Sequence, residues 1–295
     1  MTRVTVLLNR GGGAVQTNPD VRNDVAEALR AAGLEPDVEL IAGDECVERC
    51  RAISERGDEL LIVGGGDGTI SSAASALAGT KTLLGIMPLG TLNHFARDLG
   101  IPNKLDEAAK LIASKTMREV DLGQMNDRIF INNSAIGLYP LMVLDRDLQQ
   151  KKLGRSKRLA MIVASVRMLV RFGQQRLTLT VNDEKAQVDT PLLFVGNNDY
   201  RLDLGAPGQR ESLDDGVLSV FVMRKKTRRG FIAASVRALF NRQRDDDMVR
   251  LEHVERLRVA SYRSALAVSL DGEVVSAASP LDYRIRKKAL RVIAP

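Results

Sequence analysis

Residues 60–70 read LLIVGGGDGTI, an apolar run that stops at three glycines, Asp67, a fourth glycine and Thr69. Glycines after a buried strand let backbone N–H groups approach a ligand with no Cβ in the way. A helix starting at about Thr69 would aim its positive end at the same spot, which makes an anion site. Asp67 would repel a bare phosphate, and a Mg²⁺ ion bridging the carboxylate and the phosphates resolves that conflict. On these residues alone a tight strand–helix turn with Asp67 as N-cap stays open. A G-x-G-x-x-G fingerprint would need a third glycine where Thr69 stands, and the chain has no Walker A lysine.

Two later stretches carry further carboxylates. LDDGVL, from residue 213, reads by itself as a type I turn before a strand. Asp271-Gly272 is a hairpin signal, and Glu273 just past it could be an ordinary exposed strand residue. Read functionally, that hairpin lifts two carboxylates, Asp271 and Glu273, to where they could do chemistry.

Those residues need elements to position them. VTVLLN, DVELIA, ELLIVGG and TLLGIMP are near-continuous apolar strands, alternating with helices at PDVRNDVAEALRAAG, CVERCRAISERG and ISSAASALAG. That alternation predicts a parallel sheet covered on both faces. Val21, Val25 and Leu29 mark the buried face of the first helix, and Gly33 its end. From about residue 120 the pattern turns to strands of antiparallel style, such as RLTLTVND, where Leu177, Leu179 and Val181 alternate with threonines. We expect an α/β domain followed by a β-rich domain, with the boundary near 120–127 and no internal repeat.

Composition narrows the partners. The 295 residues are 44% hydrophobic, enough for two cores. The net charge is +6, which favours nucleotide phosphates, anionic lipid or nucleic acid. Absent tryptophan and only 4% aromatics argue against a stacking platform for single-stranded nucleic acid. Cys46 and Cys50, with no second pair and no nearby His, read as core residues of a cytosolic protein rather than a zinc site. No stretch approaches 18 uninterrupted apolar residues, and the N-terminus enters a strand pattern without the marks of a signal peptide.

GGGDGT together with PLGTLNHFARDLGIP at 88–102 resembles the diacylglycerol kinase catalytic-domain family, which includes soluble bacterial lipid kinases and the sphingosine and ceramide kinases. GGDGT alone is shared with NAD kinases; its combination with P-x-GTxN-x-FAR is far more specific. LDDGVLSV at 213–220 and SLDGEVV at 269–275 follow in the family's order, so the likeness runs nearly end to end. It implies an α/β nucleotide domain over about 1–125 and a β-sandwich lipid-substrate domain over 126–280, with the last strand or two, about 281–295, returning to the first. It also implies transfer of the ATP γ-phosphoryl to a lipid hydroxyl.

The resemblance places ATP phosphates against Gly65, Gly66, Asp67, Gly68, Thr69, Ile70, Ser71 and Ser72, with Thr91 and Asn93 from the second motif. The family's first loop, N-P-x-S-G, is here Asn9, Arg10, Gly11, Gly12 and Gly13, without the Pro and Ser. A Thr that commonly touches the nucleotide falls near Leu40. A structural Mg²⁺ is implied at Asp215 and the carbonyls of Ser212 and Val217. Glu273 takes the role of base, and Asp271 orients it or helps hold metal. His94 stands where the family usually has Asp, so acceptor or metal contacts there differ; by itself it could be a helix-surface histidine.

Two basic stretches, KKLGRSKRLAMIVASVRMLVRF at 151–172 and RKKTRRGFIAASVRALFNRQR at 224–244, cluster Lys and Arg ahead of an apolar face. Such helices can lie in an anionic bilayer interface; nucleic-acid binding and a solvated helix over the sandwich are the rivals. Beside the kinase motifs we expect the interfacial role, no nucleic acid, possible oligomers, and a cytoplasmic, peripherally membrane-associated lipid kinase dependent on ATP and Mg²⁺. An NAD-kinase-like enzyme and a nucleotide-binding regulator without turnover are the alternatives.

Overall fold

The computed structural model describes residues 2–13, 18–138, 140, 173–181, 183–200, 210, 212–225, 227–239 and 247–295. The chain forms two compact units: Met1–Leu122 with 211–215 and Arg286–Pro295, and Gly123–Arg210 with Gly216–Ile285. The chain passes from one unit to the other inside two continuous strands, Met117–Met125 and Leu281–Ile293. Alternation of buried and exposed residues continues through a strand whichever unit it serves, so it cannot locate these crossings.

In the first unit the apolar runs become parallel strands: β1 (Thr2–Asn9), β2 (Leu34–Ile41), β3 (Leu60–Gly65) and β4 (Leu83–Pro88). β3 is buried along its whole length, as a strand covered on both faces must be. Helices α1 (Val21–Ala31), α2 (Cys46–Glu55), α3 (Asp67–Leu77), α4 (His94–Asp98) and α5 (Leu105–Ser114) alternate with them. α1 buries Val21, Val25 and Leu29, and Gly33 follows its end at φ +89°. α2 buries both cysteines, which are free thiols with sulfurs 3.9 Å apart.

The order across this sheet is β2-β1-β3-β4, with β1 paired in parallel to both β2 and β3. The connection leaving β1 therefore runs to one side and β3 lies on the other. That makes the carboxyl ends of β1 and β3 a topological switch point, where open α/β sheets bind ligands.

The second unit is antiparallel. β7 (Asn133–Gly137), β10 (Leu192–Asn197), β11 (Leu218–Met223), β12 (Met248–Val254), β14 (Ala265–Leu270) and β15 (Glu273–Ala278) form a six-stranded sheet in the order β12-β11-β10-β7-β14-β15. The facing layer contains β8 (Gln175–Val181), β9 (Glu184–Thr190), β13 (Arg256–Ser261) and the start of β16 (Leu281–Ile293), with β5 (Met117–Met125) paired to β6 (Arg128–Phe130). Leu177 and Leu179 turn inward from β8 as the alternation predicts. They meet a core of Phe130, Val195, Val220, Leu257, Val268 and Tyr283. Helix α6 (Arg228–Leu239) seats Phe231 and Ala234 against Leu138 and Met223.

Ile62, in the middle of β3, is fully buried. Replacing it with Ala should cost about 2–5 kcal/mol, the usual range for deleting such a side chain. Denaturant titration of the first unit's transition measures it, and a midpoint equal to wild type would remove β3 from the core.

Candidate functional site

Three loops gather at the switch point. After β1, Asn9 is held so that its amide donates to Thr69 Oγ1 at 2.8 Å, linking the β1 loop to the first turn of α3. Its other side-chain atom accepts from Gly11 N at 2.9 Å, and its carbonyl accepts from Gly12 N at 2.9 Å, which curls the Asn9–Gly13 loop on itself. Arg10 is exposed and donates its backbone N–H to Ile41. A Cβ added to Gly13 would come no nearer than 3.9 Å to Thr91 Oγ1, so the first loop borders the third.

The glycines of the second loop do different jobs. A Cβ on Gly64 would meet Leu8 at 2.4 Å, and one on Gly65 would meet Thr69 at 2.6 Å. One on Gly90, in the loop after β4, would lie 2.5 Å from Gly66 Cα. Packing inside the protein demands glycine at Gly65 and Gly90, whereas at Gly64 the contact is with the methyl ends of Leu8 and Leu89. Gly66 differs: its φ of −89° suits any residue, and its nearest neighbour for a Cβ is Gly90 Cα at 3.4 Å, an ordinary contact. Nothing internal requires Gly66, and what its bareness leaves open is the approach to the N-terminus of α3.

That N-terminus begins at Asp67, and Ile70 N already bonds Gly66 O at 3.1 Å. Thr69 and Ile70 turn inward, while Gly68 is exposed and Ser71 and Ser72 are half-buried. Asp67 Oδ1 accepts from Phe95 N at 3.4 Å, across to the third loop. Asn93 shapes that loop from the left-handed region, φ +48°. Its Oδ1 accepts from Gly90 N at 2.9 Å and its amide donates to the carbonyls of Gly90 and Pro88. His94 opens α4, and its Nδ1 sits 3.0 Å from Arg97 Nη2. Arginine has only protons to offer, so Nδ1 is the acceptor. Leu40 lies at the end of edge strand β2 with 45% of its surface exposed.

The residues present suit nucleotide phosphates: backbone donors, a helix N-terminus of eleven residues and a single carboxylate. Among the described residues no group of three or more His, Cys, Asp or Glu could cage a metal. A cation here would be held by Asp67 together with phosphate oxygens and water, the ligand set Mg²⁺ prefers.

In the second unit Asp271 and Gly272 take φ of +47° and +87°, and Leu270 pairs with Glu273 across them. This is the two-residue turn the Asp-Gly pair predicts. Asp271 then does more than turn the chain. Its Oδ2 accepts from Ile131 N at 2.8 Å, and its Oδ1 accepts from Asn132 N and Asn133 N at 2.8 and 3.1 Å. Arg210, almost wholly buried, reaches the same segment from the carbonyl side, donating to Ile131 O at 2.6 Å and to Asn132 Oδ1 at 2.9 Å. Asp271 is thus a tether for β7, with three N–H donors on its two oxygens. Glu273, exposed at the head of β15, has no hydrogen-bond or ion-pair partner among the described residues.

The LDDG turn divides between the units. Ser212 and Asp215 belong to the first, where Ser212 Oγ bonds Asp214 Oδ1 at 2.6 Å and Leu213 O accepts from Asp121 N at 2.8 Å. Val217 belongs to the second, where its carbonyl accepts from Asn198 N at 3.0 Å. Asp121 was not singled out by sequence reasoning. It is 1% exposed, and its Oδ1 accepts from Lys288 N at 2.7 Å. The signal was there, a lone Asp in the apolar strand EVDLG.

The basic stretch 151–172 lies outside the described residues. In the second stretch Lys225 and Arg237 both pair with buried Asp247, so those cations serve the fold, while Arg228 and Arg229 stay exposed. Among the described residues no helix is long and apolar enough to cross a membrane.

Asp271→Asn should destabilise the second unit, since an amide NH₂ would face a backbone N–H; an unsatisfied buried donor costs about 1–3 kcal/mol. Glu273→Gln should melt with wild type. Equal melts for all three proteins would show that the Asp271 tether carries no load.

Known proteins give this arrangement its family. Residues 3–125 match the model of the diacylglycerol kinase catalytic domain, and residues 145–294 that of the YegS C-terminal NAD kinase beta sandwich-like domain. The chain is 28% identical to a diacylglycerol kinase of Bacillus subtilis strain 168, over 84% of this chain and 82% of that one. It is 29% identical to a "probable lipid kinase YegS-like" of Chromohalobacter salexigens, over 86% and 82%. The crystal structure of a diacylglycerol kinase from Bacillus anthracis strain Sterne superimposes with a TM-score of 0.71 over 99% of this chain and 97% of that one; at 22% identity this likeness concerns the fold. With an α/β unit carrying the glycine loops and an antiparallel sandwich behind the catalytic-domain match, the chain belongs to the diacylglycerol kinase catalytic-domain family, in the form that carries a YegS-type C-terminal domain.

Proposed function

We propose that this chain transfers the γ-phosphoryl group of ATP to a hydroxyl of a membrane lipid such as diacylglycerol, ceramide or a sphingoid base. The observation that carries the reading is Gly66, bare for no internal reason at a helix N-terminus on the sheet's switch point, beside Asp67. The names of the relatives support lipid as acceptor.

Backbone N–H groups at Gly66 to Thr69, the ones left without a partner inside the helix, bind the phosphates, and Asn9, tied to Thr69, keeps the first loop against them. Asp67 faces the same space and holds a Mg²⁺ ion when one is bound; the ion neutralises charge on the phosphates. Asp215, with the carbonyls of Ser212 and Val217, is the second place we assign to Mg²⁺. Glu273 accepts the proton of the attacking hydroxyl, and Asp271 positions it by fixing the turn before it. Arg228, Arg229 and the cations of 151–172 attract the chain to an anionic bilayer.

A second reading has one specific support. The sandwich family's own description joins it to NAD kinase, so a nucleotide hydroxyl could replace the lipid.

Two substitutions test the assignment. Asp67→Asn should abolish transfer in a folded protein; activity within about tenfold of wild type, roughly 1.4 kcal/mol, would reduce the loop to a turn. Glu273→Gln keeps the shape but removes the base, so the rate should fall about 10²–10⁴-fold with ATP affinity nearly unchanged. A variant as fast as wild type would remove Glu273 from the reaction.

A further inference from the structure

Sheets in a sandwich lie about 10 Å apart, and only side chains long enough to meet can fill that gap. In the middle of the second unit Phe130 and Tyr283 do so, their ring centres 6.3 Å apart. At the edge where β9 and β12 end their sheets, the inward residues are shorter. The registers put Ala186 and Val188 beside Leu179 and Leu177 of β8, and Val249 and Leu251 beside Val222 and Val220 of β11, so all four share a face with core residues. Between these two rows lies a slot of about 720 Å³, within the range of small-molecule sites. Val181, Ala186, Val188, Val249 and Leu251 line it and are only half-buried or exposed. This is apolar surface that a hydrocarbon chain can take out of water.

Along β9 the slot runs from Glu184 to Asp189, about 17 Å at 3.3 Å per residue. That is close to one leaflet of the roughly 30 Å hydrocarbon core of a bilayer, the reach of a single fatty chain. Most charges on the rim are engaged: Asp189 with Arg176, and Arg250 with Asp199 and Glu252. Glu184 at one end and Arg224 at the other have no side-chain partner among the described residues. Thr190 Oγ1 donates to Met223 O at 2.9 Å, which sets the Asp189 end of β9 beside Arg224. Arg228 and Arg229 follow Arg224 and are exposed as well, so this end of the slot is the positive one.

We propose that the slot binds a single-chain amphiphile with an anionic head, a fatty acid or a lysophospholipid, its chain between the sheets and its head on Arg224. β11 and β15 are four strand steps apart in one sheet, about 19 Å at 4.8 Å each, so this is a second lipid site, apart from the place of Glu273. The proposal does not rest on the phosphotransfer reading, because its test reads binding alone.

Dansyl-undecanoate, titrated into the full chain below its micellar concentration, should bind saturably at one per chain with blue-shifted emission. Oleate and 1-oleoyl lysophosphatidate should displace it, and the tighter of the two identifies the head as carboxylate or phosphate. Ala186→Phe fills the slot and should weaken oleate about tenfold or more, with an unchanged circular dichroism spectrum. Arg224→Glu, at an exposed position, should weaken oleate by about the same factor and leave oleyl alcohol unchanged. No saturable binding to wild type, or oleate affinity unchanged in either variant, would overturn the assignment. An Arg224→Glu protein that loses the alcohol as fully as the acid would do the same.

Discussion

Gly66 and Gly90 bring two backbones together where no side chain could stand at Gly90, and the site depends on that approach. It locks the loop after β3 to the loop after β4. Asn93 braces the contact from a left-handed conformation, and Asp67 reaches across it to Phe95 N. The Asn9–Thr69 bond then draws the β1 loop into the same cluster. Three loops from three strands become one rigid rim, and the N-terminus of α3 opens onto it.

The second unit uses another device. A short segment, Ile131 to Asn133, is gripped on its N–H side by Asp271 and on its carbonyl side by Arg210. Two charged side chains are thereby spent on backbone, in a region where unpaired backbone groups would be costly. The gain is a fixed turn, with Glu273 held just beyond it. Charge that looks catalytic in a one-dimensional pattern can be structural, and the neighbouring exposed carboxylate can be the reactive one.

Much of this was legible from periodicity. The unbroken apolar run LLIVGG announced a strand covered on both faces, the alternation at Leu177 and Leu179 a half-buried one, and Asp271-Gly272 a hairpin. The glycine loop and the GTLNHFAR element carry the family resemblance in the sequence itself. What escaped has a common cause: it depends on contacts distant in the chain. Asp121 meets Leu213 and Lys288, and Arg210 meets Ile131 and Asn132. The division of Leu281–Ile293 between units is of the same kind, because nothing local changes at Ile285. The distinct roles of the glycines were also hidden, since their letters are identical and only the neighbours differ.

The central claim is that the rim holds ATP for transfer to a lipid. Incubation of the wild-type chain with ATP labelled in the γ-phosphoryl group and Mg²⁺, over vesicles carrying diacylglycerol, ceramide or a sphingoid base and in parallel with NAD, tests it most directly. The account predicts label in at least one lipid and none in NAD. Label in NAD alone, or bound ATP that transfers to no lipid, would contradict it.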